Sequence, residues 1–198
     1  MFIKDWKKEI FTVPNCLSLL RLIMIPFYVS IYLRAESRYD YFLAGGILGI
    51  SCLTDLMDGW VARHYNMVSN VGKILDPLAD KSTQLSLLLC LVSKHKLLQW
   101  VLFLFILKES FQLVAGGISL IKEKKMLKGA LFTGKLCTTV LFTTLFLILI
   151  LPNIPSTMLF MLFSLDIFFL LIAFTDYVMI YSGRRNGLQS IYDNTDLP

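Results

Sequence analysis

Six stretches of mostly apolar residues, near positions 15–33, 41–62, 78–93, 97–121, 131–151 and 156–181, leave this chain few folds to choose from. A helix needs about 20 such residues to cross a bilayer, and in lipid every backbone amide and carbonyl must be satisfied within the segment. The pattern predicts an all-α, polytopic membrane protein with six transmembrane helices. Hydrophobic residues are 56% of the chain and charged residues 17%, which excludes disorder and ordinary soluble-domain composition. A secreted disulfide scaffold is excluded as well. Cys16, Cys52, Cys90 and Cys137 fall singly in apolar stretches, with no C-x-x-C pair and no histidine at ligand spacing, so they read as reduced packing residues.

The ends and loops supply orientation. Lys4, Asp5, Lys7, Lys8 and Glu9 alternate with Phe2, Ile3, Trp6 and Ile10, so residues 1–11 suit a short N-terminal helix lying in the interface. Basic residues ahead of an apolar run also imitate a signal peptide, but Pro26, Phe27, Tyr28, Tyr32 and Arg34 do not resemble a small-residue cleavage site. An even span count puts both ends on one side. That side holds Lys4, Lys7, Lys8, Arg63, the basic stretch 122–128, Arg184 and Arg185, against Arg34, Arg38, Lys94 and Lys96 on the other, so it is expected to be cytoplasmic. The expected location is the cell membrane, with residues 182–198 as a cytoplasmic tail. The net charge of +5 then speaks to topology and anionic headgroups, not to nucleic acid. With no internal repeat, residues 1–198 read as one domain.

The acidic residues are the anomaly. An ionised carboxylate at the bilayer centre costs about 2.5–3.5 kcal/mol on insertion scales, so four left in lipid would cost roughly 10 kcal/mol. Asp55, Asp58, Asp76 and Asp80 fall within 26 residues, and must face water, basic groups or bound cations near one end of spans two and three. Asp55 and Asp58 are i and i+3, Asp76 and Asp80 are i and i+4, so each pair shares a helical face. A link of about 15 residues between antiparallel neighbours brings all four together. Such an all-oxygen, hard donor set suits Mg²⁺ or Mn²⁺, two ions in this case, and not zinc. Plainer readings exist for single residues: Asp76 before Pro77 as a helix N-cap, Asp58 with Arg63 as an interfacial ion pair. Neither accounts for four acids. Paired divalent cations suit phosphoryl transfer, because they bridge phosphate oxygens and neutralise charge on the leaving group.

Asp55-Leu-Met-Asp58-Gly59-Trp-Val-Ala62-Arg63, eight residues, then Gly72-Lys-Ile-Leu-Asp76-Pro-Leu-Ala-Asp80 matches D-x-x-D-G-x-x-A-R-x8-G-x-x-x-D-x-x-x-D without a departure. This resembles the CDP-alcohol phosphotransferase family, and the six-span layout extends the resemblance over most of the chain. The resemblance implies displacement of CMP from a CDP-linked lipid by an alcohol, at the cytoplasmic face, with divalent metal. It makes Asp55, Asp58 and Asp76 metal ligands, and Asp80 a general base beside the metals that also reaches them. Gly59 and Ala62 match positions where small side chains admit the cytidine nucleotide. Arg63 looks like a diphosphate contact, since guanidinium binds phosphate oxygens in pairs. Gly72 would permit close approach of the next helix or of the nucleotide. Gly45-x-x-x-Gly49 reads instead as a helix-contact motif.

The shared motif is silent on the acceptor. Pro14-Asn15-Cys-Leu-Ser18-Leu-Leu-Arg21, followed by Pro26, is similar to the opening of the branch that holds phosphatidylglycerophosphate synthases and cardiolipin synthases, as is Asp76-Pro-Leu-Ala-Asp80-Lys81. Asn15 and Arg21 are therefore candidate site residues. Arg21 inside span one needs an anion, and the carboxylates or a substrate phosphate are the nearest candidates; the competing reading is snorkelling to the interface. Lys108-Glu109 stands where the branch usually has Arg-Glu, and Gly134-Lys135 where it usually has Gly-Lys. Lys108 and Lys135 facing one cavity would bind a phosphorylated acceptor, although lysine lacks the paired donors of arginine. The expectation is transfer of the phosphatidyl group from CDP-diacylglycerol to glycerol 3-phosphate. Cardiolipin synthesis, with phosphatidylglycerol as acceptor, is the alternative. A transporter would spread its acids over several spans at bilayer depth; here only Asp166 and Asp176 stand apart, with no role assigned. The family resemblance implies a homodimer, and Gly116, Gly117 and Ser119 would let helices approach, but no interface follows from them.

Overall fold

Long apolar runs become helices here because a helix alone satisfies its own backbone. The structure is a computed structural model that describes residues 13–64, 72–123, 132–151 and 153–181, excluding the side chains of 13, 14, 56, 58–64, 73, 74, 116–123 and 181. Its elements are α1 (Val13–Leu33), α2 (Arg38–His64), α3 (Gly72–Lys94), a 3-10 turn (Lys96–Leu98), α4 (Gln99–Glu123), α5 (Phe132–Ile150) and α6 (Ser156–Tyr181). The all-α expectation holds for the described residues. The proposed interfacial segment 1–11 and tail 182–198 lie outside them, as does most of the basic stretch 122–128.

Among the described residues, four stretches are long and apolar enough to cross a membrane: Asn15–Leu33, Lys96–Ala115, Phe132–Ile150 and Ser156–Ile180. The six-span count is therefore not established. α2 carries Arg38, Asp40, Asp55, Asp58 and Arg63, and α3 carries Lys73, Asp76, Asp80, Lys81 and Lys94, so the aspartate motif itself dilutes the apolar character of both helices. α3 also starts earlier than its apolar run. With Gly72 as its first residue, Asp76 and Pro77 lie inside the helix, which corrects the N-cap reading of Asp76. Residues 65–71, on which the expected link falls, lie outside the described residues.

The chain divides into two compact units, Met1–Lys96 with Leu145–Ile154, and Leu97–Thr144 with Pro155–Pro198. In the first, α1, α2 and α3 each bury one stripe at helical spacing: Ser18, Arg21, Tyr28 and Tyr32; Ala44, Leu48 and Ser51; Ala79, Thr83, Leu87 and Leu91. The contacts between stripes give the direction of each helix. Ser18 meets Asp76 and the Tyr28 hydroxyl reaches Thr83 O at 3.2 Å and Ser86 Oγ at 2.5 Å. Lys94 Nζ donates to Ala35 O at 3.2 Å and to the Tyr41 hydroxyl at 2.5 Å. Contacts on α1 and α3 thus advance together, so these helices run parallel, while α2 runs antiparallel to both and α1 lies between α2 and α3. At the Lys94 end, Tyr32 and Tyr41 pack edge to face with centroids 5.5 Å apart. Gly45 serves as a contact position: a Cβ there would meet Ile150 Cγ1 at 3.0 Å, and one at Gly49 would touch Phe146 Cζ at 3.9 Å. All four cysteines are free thiols.

The second unit buries Val101, Phe105 and Lys108 on α4, Cys137, Leu141 and Thr144 on α5, and Asp166, Leu170, Ala173 and Tyr177 on α6. Each set again follows helical spacing, so a cation and a carboxylate occupy positions in otherwise apolar stripes. Phe111 and Phe174 join α4 to α6 edge to face at 5.4 Å.

Candidate active site

The stripe on α1 that carries Tyr28 and Tyr32 continues, one helical repeat at a time, to Arg21 and Ser18. The α3 stripe of Leu87 and Thr83 continues to Asp80 and Asp76, and the α2 stripe of Leu48 and Ser51 to Asp55. Because the helices pack on these stripes, the polar residues meet at one end of the unit. Arg21 is 2% exposed; its Nη2 pairs with Asp55 Oδ1 and its Nη1 with Asp80 Oδ1. The Ser18 hydroxyl donates to Asp76 Oδ1 at 2.6 Å. Three of the four aspartates are thus tied to α1. The side chains of Asp55 and Asp80 remain 41% and 46% exposed, so this buried arginine faces carboxylates that still reach solvent. That geometry favours the anion reading of Arg21 over snorkelling.

Asp58, Gly59, Ala62 and Arg63 follow Asp55 on α2, but their side chains lie outside the described set. Gly72 is buried at the first position of α3, and Asn15 is buried near the start of α1. The donor chemistry fits a hard divalent cation: the available ligands are carboxylate oxygens, and those of Asp55 and Asp80, joined by Arg21, reach solvent. Among the described residues no three acidic, histidine or cysteine side chains yet stand together as a ligand group, and Asp58 is outside that set.

The remaining candidates belong to the second unit. Lys108 is 2% exposed; its Nζ donates to Glu109 Oε1 at 2.7 Å and lies 5.8 Å from the Tyr177 ring centroid. Lys135 is exposed on the first turn of α5, beside buried Gly134. A Cβ on Gly134 would lie 2.8 Å from the Tyr177 hydroxyl, so the glycine is what lets α6 lie against α5 there. Asp166 is buried, with Oδ1 2.6 Å from Thr144 Oγ1. Sequence reasoning passed over Ser18 and Tyr177. Ser18 stood in the opening motif one turn before Arg21; for Tyr177 the only signal was its place on the stripe with Leu170 and Ala173.

Known proteins resemble this chain over most of its length. The family described as CDP-alcohol phosphatidyltransferase matches residues 11–179. The chain is 38% identical over 143 residues to an Aquifex aeolicus protein named CDP-diacylglycerol–glycerol-3-phosphate 3-phosphatidyltransferase, covering 72% of this chain and 74% of that one. It is 34% identical over 113 residues to a Streptomyces coelicolor cardiolipin synthase (CMP-forming), 56% of this chain and 52% of the relative. An Escherichia coli protein with the same name as the Aquifex one is 35% identical over 91 residues, 46% of this chain and 49% of the relative. The chain thus spans about half the length of the latter two, and the relatives' names include both a glycerol-3-phosphate phosphatidyltransferase and a cardiolipin synthase.

Proposed function

The chain belongs to the CDP-alcohol phosphatidyltransferase family, and from that premise we propose that it transfers the phosphatidyl group of CDP-diacylglycerol to glycerol 3-phosphate, releasing CMP. It is a phospholipid-synthesis enzyme with helices suited to a membrane; the cell membrane, with the aspartates on the cytoplasmic side, is the location its basic loops favour. The observation that carries the reading is the uninterrupted aspartate motif, supported by the joining of Asp55 and Asp80 through Arg21 and of Asp76 to Ser18.

In this reading Arg63 grips the diphosphate, while Gly59, Ala62 and Gly72 leave the nucleotide room to lie on the helix backbone. Asp55, Asp58 and Asp76 are the ligands for divalent metal, with Asp80 at their edge. Bound there, Mg²⁺ or Mn²⁺, as two ions, would supply positive charge to the phosphate oxygens and the departing CMP. Asp80 accepts the proton of the acceptor hydroxyl as its oxygen attacks the lipid-bearing phosphorus. The new P–O bond forms as the bond to the CMP oxygen breaks, and CMP leaves with that electron pair.

For the acceptor, the identity to the Aquifex relative over most of its length favours glycerol 3-phosphate. Lys135, exposed and basic, is the proposed reader of its phosphate. Lys108 would join it only by loosening its pair with Glu109. Purified protein should be offered CDP-diacylglycerol, Mg²⁺ and a panel of acceptors, with products identified by mass spectrometry. Phosphatidylglycerol phosphate should dominate, and Lys135→Ala should raise the KM for glycerol 3-phosphate by about tenfold, the scale of one charge-assisted contact. Consumption of phosphatidylglycerol with glycerol 3-phosphate ignored would assign cardiolipin synthesis instead.

A further inference from the structure

The opposite end of α1 carries a feature that the transfer reaction does not use. From Arg21 to Arg34 is 13 residues, about 20 Å of helix at 1.5 Å per residue, so Arg34 stands near the other headgroup region. Between them an open groove of about 260 Å³ is lined by Pro26, Phe27, Ser30 and Ile31. A second, of about 290 Å³, is lined by Ser30, Ile31, Arg34, Asp40 and Leu43. They share Ser30 and Ile31 and so form one trough, apolar at one end and charged at the other.

Local chemistry explains the shape. Pro26 has no amide proton for the helix ladder, and Ser30 turns its hydroxyl back onto Pro26 O at 2.7 Å. The hydroxyl is therefore engaged within the helix, and the lining at this end is mostly apolar. At the charged end, Asp40 receives Ser37 N at 2.9 Å, Ser37 Oγ at 2.9 Å and Glu36 N at 3.2 Å, all on Oδ2. Oδ1 takes none of these bonds. Those donors, Ser37 N first, hold the carboxyl below the usual carboxylate range, so it is ionised at neutral pH. Neither Arg34 nor Asp40 makes an ion pair among the described residues, so one positive and one negative group stand apart on the rim of one pocket.

We propose that this trough binds a zwitterionic aminophospholipid of the leaflet opposite the aspartates, its phosphate on Arg34, its primary ammonium on Asp40 Oδ1 and an acyl chain along Ile31, Phe27 and Pro26. Charge complementarity selects the occupant. An anionic lipid without an amine would satisfy Arg34 but place its negative charge beside Asp40, and a free phosphate would leave the apolar floor uncovered. A choline headgroup carries the positive charge but no N–H to donate to Asp40.

Native mass spectrometry of the full chain, mixed with equal amounts of phosphatidylethanolamine, phosphatidylcholine and phosphatidylglycerol of identical chains, tests this. Wild type should retain phosphatidylethanolamine preferentially. Arg34→Ala should cut that retention by about tenfold. Asp40→Asn keeps an acceptor for the Ser37 amide while removing the charge, and should erase the preference over phosphatidylglycerol. Ile31→Trp should block binding by filling the floor, with the melting temperature confirming that it folds. Equal retention of all three lipids by wild type, preference for phosphatidylglycerol, or retention unchanged in Arg34→Ala would overturn the proposal. So would a dimer that Arg34→Ala or Ile31→Trp dissociates without changing bound lipid, since the trough would then be an interface between copies.

Discussion

Arg21 and Lys108 are cations buried to the same degree, each 2% exposed, yet they are neutralised in opposite ways. Arg21 draws its partners from two other helices, Asp80 being 59 positions away. Lys108 takes its partner from the next residue, Glu109, on its own helix. A desolvated cation must find an anion in either case, because the cost of an unpaired buried charge runs to several kcal/mol. The consequence differs. Arg21 turns that demand into a tie between α1, α2 and α3 and draws together the carboxylates proposed for chemistry. Lys108 meets its anion within α4 itself, while Phe111 on the same helix packs edge to face on Phe174 of α6.

The sharpest separation is catalytic. If the carboxylates at the Arg21 end hold metal and substrate, Asp55→Asn, Asp58→Asn, Asp76→Asn and Asp80→Asn should each lower kcat/KM by at least ~10²-fold, about 2.7 kcal/mol. Chelator should abolish wild-type activity, and Mg²⁺ or Mn²⁺ should restore it. Full activity in chelator, or in Asp58→Asn with normal membrane content, would remove the metal reading and with it the chemical half of the comparison.

Stability gives a smaller contrast. Arg21→Met leaves Asp55 and Asp80 without their shared cation, and should cost about 2 kcal/mol; this is below the 3–5 kcal/mol of a fully buried broken pair because both carboxylates reach water. For Lys108 the whole pair can be removed. Lys108→Met with Glu109→Leu replaces a local ion pair by apolar groups and should change stability by less than about 1 kcal/mol. Thermal unfolding of the two variants in the same detergent decides it. A double variant that melts below Arg21→Met would show that the local pair contributes more than the one between helices.

How much of this was legible in the sequence follows the same divide. The aspartate spacing could be read directly, because helical periodicity converts i, i+3 and i+4 into a shared face before any tertiary contact is known. The need of Arg21 for an anion was also legible; which anion was not, since the answer depends on α1 and α3 running parallel with Ser18 level with Asp76. The Asp76-Pro77 pair matches a helix start and so offered a plainer reading of Asp76, whereas α3 gains a further turn from Gly72. Among the described residues, four of the six expected spans meet the length and apolarity of a membrane-crossing helix, and α2 and α3, which carry the aspartate motif, are the two that do not. Gly134 was legible only as a match to a pattern: the Tyr177 hydroxyl, which a Cβ there would meet at 2.8 Å and which gives the glycine its reason, lies 43 positions downstream.

Asp40 supplies a third way to hold a charge and the smallest predicted effect. Among the described residues it meets neither a distant cation nor a neighbouring one; with Ser37 it forms a reciprocal cap, the Asp40 amide donating to Ser37 Oγ at 3.3 Å and Asp40 Oδ2 accepting from Ser37 N. A carboxylate in the first turn of α2 also faces the positive end of the helix dipole. Folding therefore lowers the pKa of this group, as these hydrogen bonds require. The sign follows: the folded state binds its proton less readily than the unfolded state, so its contribution is complete above the ordinary value of 3.8 and disappears as pH falls through the lower folded value. Asp40→Asn retains the cap's acceptor and isolates the charge. Its melting temperature should lie slightly below wild type at neutral pH, by less than for Arg21→Met, and the gap should close in acid and shrink in high salt, as for any exposed charge. A gap that stays constant from neutral pH to well below the carboxylate range would mean that the cap's geometry, and not its charge, holds the start of α2.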